Sequence, residues 1–358
     1  KKKLKSLFRN NLEIIIMAKK NRKKKDNNKS DKTKKIVING LKYVGEIKNG
    51  KPHGLGTTFY TNGNILYEGG FKYGEYIGHG TSFYKNGNIE YEGESKNNKA
   101  NGHGKRFYEN GIIQFEGEYK DDLANGHGIS FDEDGNRKYE GEFQDGNRDG
   151  HGTTFYQNGN KRFEGEFKDG KAYGHGISFD ENGNKIFEGE YKDDKANGRG
   201  ISFDENGNKI SEGEYKDGKA NGHVITFDEN GNKRFEGEYK DGKANGHGIT
   251  FDENGNIQYE GELRNNKPNG QGTFHYKDGS YSKGIFIEGK LVNGIIFYKN
   301  GNSYEGELKD GKFHGQGKYT YISGRSYKGE FWNGHRYGTH ERTSKEGKVS
   351  FRDFYILD

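Results

Sequence analysis

The chain repeats itself with a fixed period, and this repeat constrains its fold more than any other feature. Variants of the string aromatic-x-Gly-Glu open ten units between Tyr43 and Tyr259, each spaced by 24 residues with no insertion. Less regular units open at Ser282, Tyr304 and Tyr327, so thirteen units cover residues 43 to about 349. A period of this length is typical of repeat proteins, in which each unit packs on its neighbours.

Each unit is predicted to form a β-hairpin. In the unit 163–186, Phe163, Gly165 and Phe167 alternate with charged residues, which is the pattern of a strand with one apolar and one charged face. A second short strand is expected over 176–180. Because the period is even, every unit returns its rings to the same face. The sequence therefore predicts an all-β fold: an elongated, single-layer antiparallel sheet of tandem β-hairpins that forms a rod or solenoid.

Turns and close packing account for the 60 glycines. Asp169-Gly170 predicts a turn within the unit. Asn182-Gly183 predicts a type I′ turn at its end, since both central positions of that turn need positive φ. Gly165 is expected to let a ring from the adjacent strand lie on its backbone. The expected core rings, which open eleven units, are Tyr43, Tyr67, Tyr91, Phe115, Tyr139, Phe163, Phe187, Phe235, Tyr259, Tyr304 and Tyr327.

Composition limits the classes of site. The chain has no cysteine, which excludes a disulfide framework and a thiolate metal site. Its longest apolar run, residues 14–17, is too short for a membrane-spanning helix. We expect a cytoplasmic protein, and peripheral attachment to a membrane or to the cytoskeleton stays open.

A row of histidines invites a metal-binding hypothesis. Equivalent positions would lie about 9.6 Å apart in such a sheet, whereas Zn–N bonds are about 2.0 to 2.1 Å. Arg199 takes this position in one unit. We therefore predict no metal and no cofactor. The histidines are His79, His103, His127, His151, His175, His223 and His247.

Carboxylates such as Glu164 and Glu166 are interpreted as a solvated, charge-balanced sheet face. The string from Asp180 to Asn184 superficially resembles a calcium loop, but it lacks the spacing and the terminal bidentate Glu of an EF-hand. The sequence contains no P-loop and no nucleophile paired with a base. We therefore predict that the chain is not an enzyme and has no catalytic residue.

The units opened by Tyr304 and Tyr327 closely resemble the MORN repeat, whose pattern is Tyr-x-Gly-Glu-aromatic-x-x-Gly followed by Gly-x-Gly. The 24-residue units, with their Asp-Glu-Asn-Gly-Asn connectors, resemble a lengthened variant of that repeat. The extra residue is expected as a bulge within 176–179.

This resemblance implies a non-enzymatic scaffold for protein–protein interaction and self-association, at a membrane or cytoskeletal site. Two alternatives stay open. One is a targeting or regulatory array that acts with a phosphoinositide kinase or another separate enzyme, and the other is a bacterial antitoxin-like variant. The aromatic stripe is interpreted both as the core and as an adhesive surface. A homodimer through that stripe is the favoured arrangement, and docking of an amphipathic helix is the other.

The first 36 residues differ in kind, with 15 basic and three acidic residues. A basic amphipathic helix and a disordered tail are both compatible with them. We expect the polybasic run to contact anionic phospholipid or another anionic partner, and we expect no nucleic acid. The predicted domains are a tail over 1–36, the array over 37–349 and a C-terminal tail over 350–358. The assigned basic residues are Lys19, Lys20, Arg22, Lys23, Lys24 and Lys25.

Overall fold

The computed structural model describes residues 33–355. This part of the chain forms 28 β-strands and no helix. The strands are β1 (Lys34–Ile38), β2 (Leu41–Lys48), β3 (Lys51–Phe59), β4 (Ile65–Lys72), β5 (Glu75–Phe83), β6 (Ile89–Lys96), β7 (Lys99–Phe107), β8 (Ile113–Lys120), β9 (Leu123–Phe131), β10 (Arg137–Gln144), β11 (Asn147–Phe155), β12 (Lys161–Lys168), β13 (Lys171–Phe179), β14 (Lys185–Lys192), β15 (Lys195–Phe203), β16 (Lys209–Lys216), β17 (Lys219–Phe227), β18 (Lys233–Lys240), β19 (Lys243–Phe251), β20 (Ile257–Arg264), β21 (Lys267–His275), β22 (Tyr281–Ile287), β23 (Lys290–Phe297), β24 (Ser303–Lys309), β25 (Lys312–Thr320), β26 (Ser326–Trp332), β27 (His335–Thr343) and β28 (Val349–Phe354).

The strands belong to two compact units. The first unit takes the described chain up to Ile113 together with Tyr119–Asp122, and the second takes Gln114–Glu118 and the chain from Leu123 onwards. Within the first unit, β1 to β7 pair antiparallel in chain order. Within the second unit, β9 to β28 do the same. The predicted all-β fold of tandem antiparallel hairpins is confirmed.

The turn inside each unit has the geometry that matches the twist of a hairpin. In β12–β13, Asp169 and Gly170 have φ of 50° and 83°, and Lys168 pairs with Lys171 on either side of them. Two successive residues with positive φ define a type I′ turn, which suits the right-handed twist of the flanking strands. Asp-Gly supplies these angles at small steric cost, since glycine has no Cβ and aspartate tolerates the left-handed region.

The connector between successive repeat units differs from the prediction. Asn182-Gly183 does not form a type I′ turn, because only Gly183 has positive φ, at 91°. The Asp180 carbonyl accepts the Gly183 N–H at 3.0 Å, and the Asp180 N–H donates to the Asn184 carbonyl at 2.9 Å. These bonds close a three-residue loop, a type I turn followed by a left-handed glycine. The Asp180 carboxylate also accepts the N–H groups of Asn182 and Asn184, so the aspartate favours the longer loop.

The extra residue of the 24-residue units lies in a different strand from the one predicted. Ser178 pairs with Phe187 and the residue after Ser178 pairs with Lys185, so Ile186 is the bulged residue, and the segment 176–179 is regular. The pairing of β25 with β26 shows no such shift. The prediction was wrong because it aligned the last aromatic residues of the two unit types, whose connectors have the same length.

The ring that opens a regular hairpin lies over two glycines that pair with each other. In β12–β13, Gly165 pairs with Gly176, and a Cβ on Gly176 would fall within the Phe163 ring. The ring over Gly165 therefore comes from its own strand, two residues earlier, and not from the adjacent strand as predicted. Large rings on bare backbone let a single sheet build a core without a second layer.

Neighbouring hairpins are joined by rings that meet edge to face. In the second unit, successive ring centroids lie 4.9 to 5.5 Å apart, with planes close to perpendicular. Such pairs add about 0.5–1.5 kcal/mol each beyond the burial of their area. We call this series the ring zigzag; it runs through Phe115, Phe143, Tyr139, Phe167, Phe163, Tyr191, Phe187 and Tyr215.

Two hairpins open with serine instead of an aromatic residue, and the space of the missing ring is filled differently in each. In β16–β17, Ser211 stands where the ring would be, and Val224 replaces the second glycine and is 0% exposed. In β22–β23, both glycines remain, and Ile296 faces the buried Ser282 and packs against the neighbouring core. In both hairpins an aliphatic side chain takes up space that a ring occupies elsewhere.

The last hairpin changes the second glycine to a histidine. His340, on β27, is 0% exposed and lies between Phe331 and Phe354, with ring centroids at 5.0 and 5.3 Å. Its Nε2 donates to the Glu330 carbonyl at 2.7 Å. In β24–β25 the hydroxyl of Tyr304 makes the equivalent bond to a glutamate carbonyl, at 2.8 Å. The imidazole thus takes over the hydrogen bond that a tyrosine ring makes in other hairpins.

Candidate interaction surfaces

The aromatic rings that open the repeat units are buried in the sheet. All eleven predicted core rings are at most 9% exposed, Tyr304 being the most buried and Phe187 the least. Burial raises the pKa of Tyr91, Tyr139 and Tyr304 to about 12. An adhesive stripe made of these rings, the surface suggested by the sequence, is therefore absent from the described residues, because the rings are buried within the sheet's own core.

The opposite face of the sheet, which we call the second face, carries polar and aliphatic residues in alternating rows. Cross-strand pairing places Ile177 between Glu164 and Glu188, and it places His175 opposite Glu190. The pattern continues into β14–β17, where a groove of about 660 Å³ is lined by both rows. This groove is open and has a glycine floor. Its side-chain lining is His175, Glu188, Glu190, Arg199, Ile201, Glu212, Glu214, His223 and Ile225.

Several carboxylates of the second face are held by other groups of the chain. Lys185 pairs with Glu188 at 2.8 Å, and the same spacing recurs in the next strand pairs. The side chains of Glu166 and Glu190 each fold over a bulge glycine in the next strand. The Oε1 atom of each glutamate accepts the N–H of the residue after that glycine, His175 or Arg199, at 3.4 Å. These contacts agree with a structural role for the repeated glutamates.

Most connectors begin with a tyrosine or an aspartate. Tyr156, which begins one loop, links neighbouring repeat units: its hydroxyl donates to the Phe179 carbonyl at 2.8 Å, and Asn158 of the same loop donates to the Glu181 carbonyl at 2.6 Å. Where an aspartate begins the loop, the bonds close within the loop. The N–H groups that the Asp180 carboxylate accepts, from Asn184 above all, lower the pKa of that side chain. The aspartate is therefore committed to its own turn.

The seven histidines of the row lie on exposed parts of the second face. Within residues 33–355, no group of three or more His, Cys, Asp or Glu side chains could hold a metal ion. The basic run Lys19–Lys25 lies outside the described residues. The strands themselves begin at Lys34, within the segment assigned to the tail, and end at Phe354, beyond the expected end of the array.

The last hairpins differ from the others on the second face. Large apolar side chains stand there, several of them in place of Lys or Glu, with Trp332 51% exposed and Phe351 73% exposed. The sequence alone singles out Trp332 and the last repeat units as a C-terminal cap or contact end, and it gives no such signal for the other residues of this surface. We call this set the C-terminal apolar surface; it comprises Ile285, Ile287, Phe297, Trp332, Tyr337, Val349 and Phe351.

Models of two repeat types match the chain. The MORN repeat matches residues 43–65, 91–113, 115–137, 139–161, 212–223, 235–257, 259–281 and 304–324. The MORN repeat variant matches residues 76–97, 172–193, 196–217 and 220–241. Together these matches cover more than half of the chain.

The chain belongs to the MORN-repeat family. The resemblance seen in the sequence is thereby confirmed, with twelve matched segments against thirteen predicted units. The MORN family is generally non-catalytic, and a MORN array is consistent with a repeat scaffold for protein or membrane interaction. No curated protein matches this MORN chain.

Two solved structures are similar to the MORN chain over most of its length. Selenomethionine-substituted virginiamycin B lyase from Staphylococcus aureus is 14% identical, covering 90% of this chain and 84% of its own, with a TM-score of 0.14. A streptogramin B lyase is 12% identical, covering 92% and 86%, also with a TM-score of 0.14. At that TM-score the likeness carries no argument about fold or chemistry.

Proposed function

We propose that the chain is a non-enzymatic MORN scaffold that self-associates through the C-terminal apolar surface. The observation that carries this proposal is the contrast between the two faces of the last hairpins. Phe331 and Leu308 are buried on the ring face, whereas Trp332, Tyr337 and Phe351 stand exposed on the second face. Contiguous exposed apolar patches are characteristic of interaction sites, and these three residues lie on the successive strands β26, β27 and β28.

A second copy of the same chain is the partner that this surface fits. An apolar surface is complementary to itself, and a two-fold arrangement uses the same surface on both subunits. The rings Trp332 and Tyr337 supply large contact area at low conformational cost, as at the centre of many interfaces. The groove over β14–β17 is a weaker candidate, because two of its carboxylates, Glu188 and Glu190, are already held by Lys185 and by a bulge N–H group.

Light scattering coupled to size exclusion tests the proposal on the full chain. We expect a dimer at micromolar concentration, and we expect Trp332→Lys with Phe351→Lys to give a monomer with an unchanged circular dichroism spectrum. Leu55→Lys is the matched control, since Leu55 is also an exposed apolar residue of the second face, at 56%. A monomeric parent chain, or equal masses for all the variants, would contradict self-association through this surface.

A second candidate function, attachment to an anionic membrane, is favoured by one observation in the sequence. Six of the seven residues from 19 to 25 are basic, and each such residue near an anionic surface contributes about 1 kcal/mol. The described residues contain no helix long and apolar enough to cross a membrane.

Co-sedimentation with phosphatidylserine vesicles tests the membrane function. We expect binding that is lost when the six basic residues are changed to glutamine, and no binding to phosphatidylcholine alone. As a control, six lysines from the hairpin turns of the array are changed in the same way. Equal binding by the parent and the tail variant would refute a role for the run.

A further inference from the structure

The ring zigzag of the second unit ends at the hairpin β16–β17. On one side, Tyr215 meets the Phe187 ring at 4.9 Å. On the other side, its next partner in the series would be the opening ring of its own hairpin, where Ser211 stands. Tyr239, in turn, meets Phe235 of its own hairpin at 5.3 Å and has no opening ring of the preceding hairpin to meet. Two edge-to-face contacts are therefore missing at one place.

The buried apolar residues divide at the same place. One cluster runs from Tyr139 to Tyr191 with Tyr215 packed against it, and another begins at Phe235. Val224, although fully buried, is in neither of these clusters. The second unit thus has two ring-packed blocks, and β16–β17 lies between them.

Polar contacts take the place of the missing rings. The Ser211 hydroxyl lies 2.6 Å from that of Ser202 and 2.6 Å from that of Tyr215. Each of these hydrogen bonds contributes a net of about 1 kcal/mol, because the hydroxyl groups bond to water when a strand opens. A ring contact adds a similar amount on top of the large apolar area that the ring buries, and a serine buries no such area.

We propose that β16–β17 is a built-in opening point, the hairpin that separates from its neighbours before any other part of the two blocks. A repeat array derives its stability from contacts between adjacent units, so the weakest contact opens first. Opening frees the backbone edges of β15 and β18 for pairing. This proposal does not depend on self-association, since it uses residues remote in sequence from the C-terminal apolar surface.

The chain contains its own control. Residues 209–227 and 233–251 differ at only three of nineteen positions: Ile210 for Arg234, Ser211 for Phe235 and Val224 for Gly248. Each of these hairpins lies between two connectors that begin with aspartate, so the connectors do not distinguish them. Intrinsic exchange rates of the two segments are also nearly the same. A difference in hydrogen-exchange protection between the two hairpins is therefore caused by the substitutions at the opening-ring and second-glycine positions.

Hydrogen exchange measured by mass spectrometry on the full chain tests the proposal. We expect amides of β16–β17 to exchange at least tenfold faster than the equivalent amides of β18–β19, under conditions where exchange follows the opening equilibrium. Exchange within twofold of the control hairpin would overturn the proposal.

A variant tests the proposal within β16–β17 itself, without comparison to a second hairpin. Ser211→Phe with Val224→Gly rebuilds the regular ring and glycine pair, and we expect exchange in β16–β17 to slow to the rate of β18–β19. Ile210→Arg, the remaining difference, is the matched control and should leave the exchange unchanged. Slowing by the control alone, or no slowing by the double variant, would show that the ring break does not set the opening.

Discussion

The hairpins β16–β17 and β18–β19 have almost the same sequence but different cores. In β18–β19 the Phe235 ring lies over Gly248, whereas β16–β17 opens with Ser211 and carries Val224 in place of the second glycine. Phe235 belongs to a buried cluster shared with the hairpins that follow it, whereas β16–β17 fills its own space and is joined by a ring to the preceding hairpin alone. The comparison teaches that volume can be conserved within one hairpin while continuity between hairpins is lost.

Alkaline pH should cause the largest loss of stability. The loss is expected in hairpins that open with tyrosine, whereas β16–β17 and β18–β19 open with Ser211 and Phe235. Burial raises the pKa of Tyr67, Tyr91, Tyr139, Tyr259 and Tyr304 to about 12. Between pH 10 and pH 12 the unfolded chain loses these protons and the folded chain keeps them, so the free energy of unfolding falls as the pH rises. Below pH 10 this contribution is fully present.

Circular dichroism and tyrosine absorbance, recorded on the same samples, check the alkaline prediction. We expect β structure to be lost together with the ionisation of the buried tyrosines. Ionisation near pH 10 with the β structure intact would show that these rings are accessible to water.

The substitution Gly248→Val copies the Ser211 hairpin into its neighbour without removing the ring. A Cβ on Gly248 would lie 2.6 Å from the Phe235 ring, so the valine must displace it. We expect the local free energy of opening of β18–β19 to fall by about 3 kcal/mol, the upper end for overpacking. Hydrogen exchange of that hairpin measures this value. An unchanged exchange rate would mean that the ring is not on the glycine.

The reverse substitution, Val224→Gly, empties the core of β16–β17. No ring stands over this position, so the change leaves a cavity and a more flexible backbone. We expect a loss of about 2 kcal/mol of local stability, less than for Gly248→Val. If the variant is as stable as the parent chain, Val224 does not fill the space left by Ser211.

The smallest predicted effect concerns the hydroxyl groups of the opening tyrosines. Tyr304→Phe removes the hydrogen bond to the Glu307 carbonyl and keeps the ring. We expect a loss of about 1 kcal/mol in β24–β25, because the carbonyl loses its partner. Denaturant unfolding followed by exchange measures it. Phe163, which opens a hairpin without this bond, shows that the ring alone suffices for the fold, so a loss above about 3 kcal/mol would contradict this division of roles.

The repeat predicted the hairpins because its period is even and its turn residues are distinctive. Phe163 and Gly165 identified one face of the sheet from their alternation alone. The turn at Asn182-Gly183 could not be predicted in the same way, because the dipeptide suits two loop lengths. The Asp180 carboxylate stabilises the longer loop through two backbone N–H groups, a local contact with no signature in the dipeptide.

The candidate interaction surface was harder to predict than the fold. Sequence patterns place rings on one face of the sheet, but they do not show whether a ring is exposed or buried. Phe163 is buried because its ring lies on the glycine pair of its own hairpin. The exposed Trp332 and Phe351 lie in hairpins that depart from the regular period, where unit-by-unit comparison no longer assigns a face. His340 was missed for the same reason, since it occupies a glycine position.

The double variant Phe235→Ser with Gly248→Val tests most directly the claim that each ring is matched to its own glycine pair. Hydrogen exchange of β18–β19 would be compared between this variant and the two single variants. The two residues share one space, so we predict that the double variant loses at least 1 kcal/mol less local stability than the two single losses combined, within the usual range for residues in contact. Additive losses would show that ring and glycine act independently and would contradict the account.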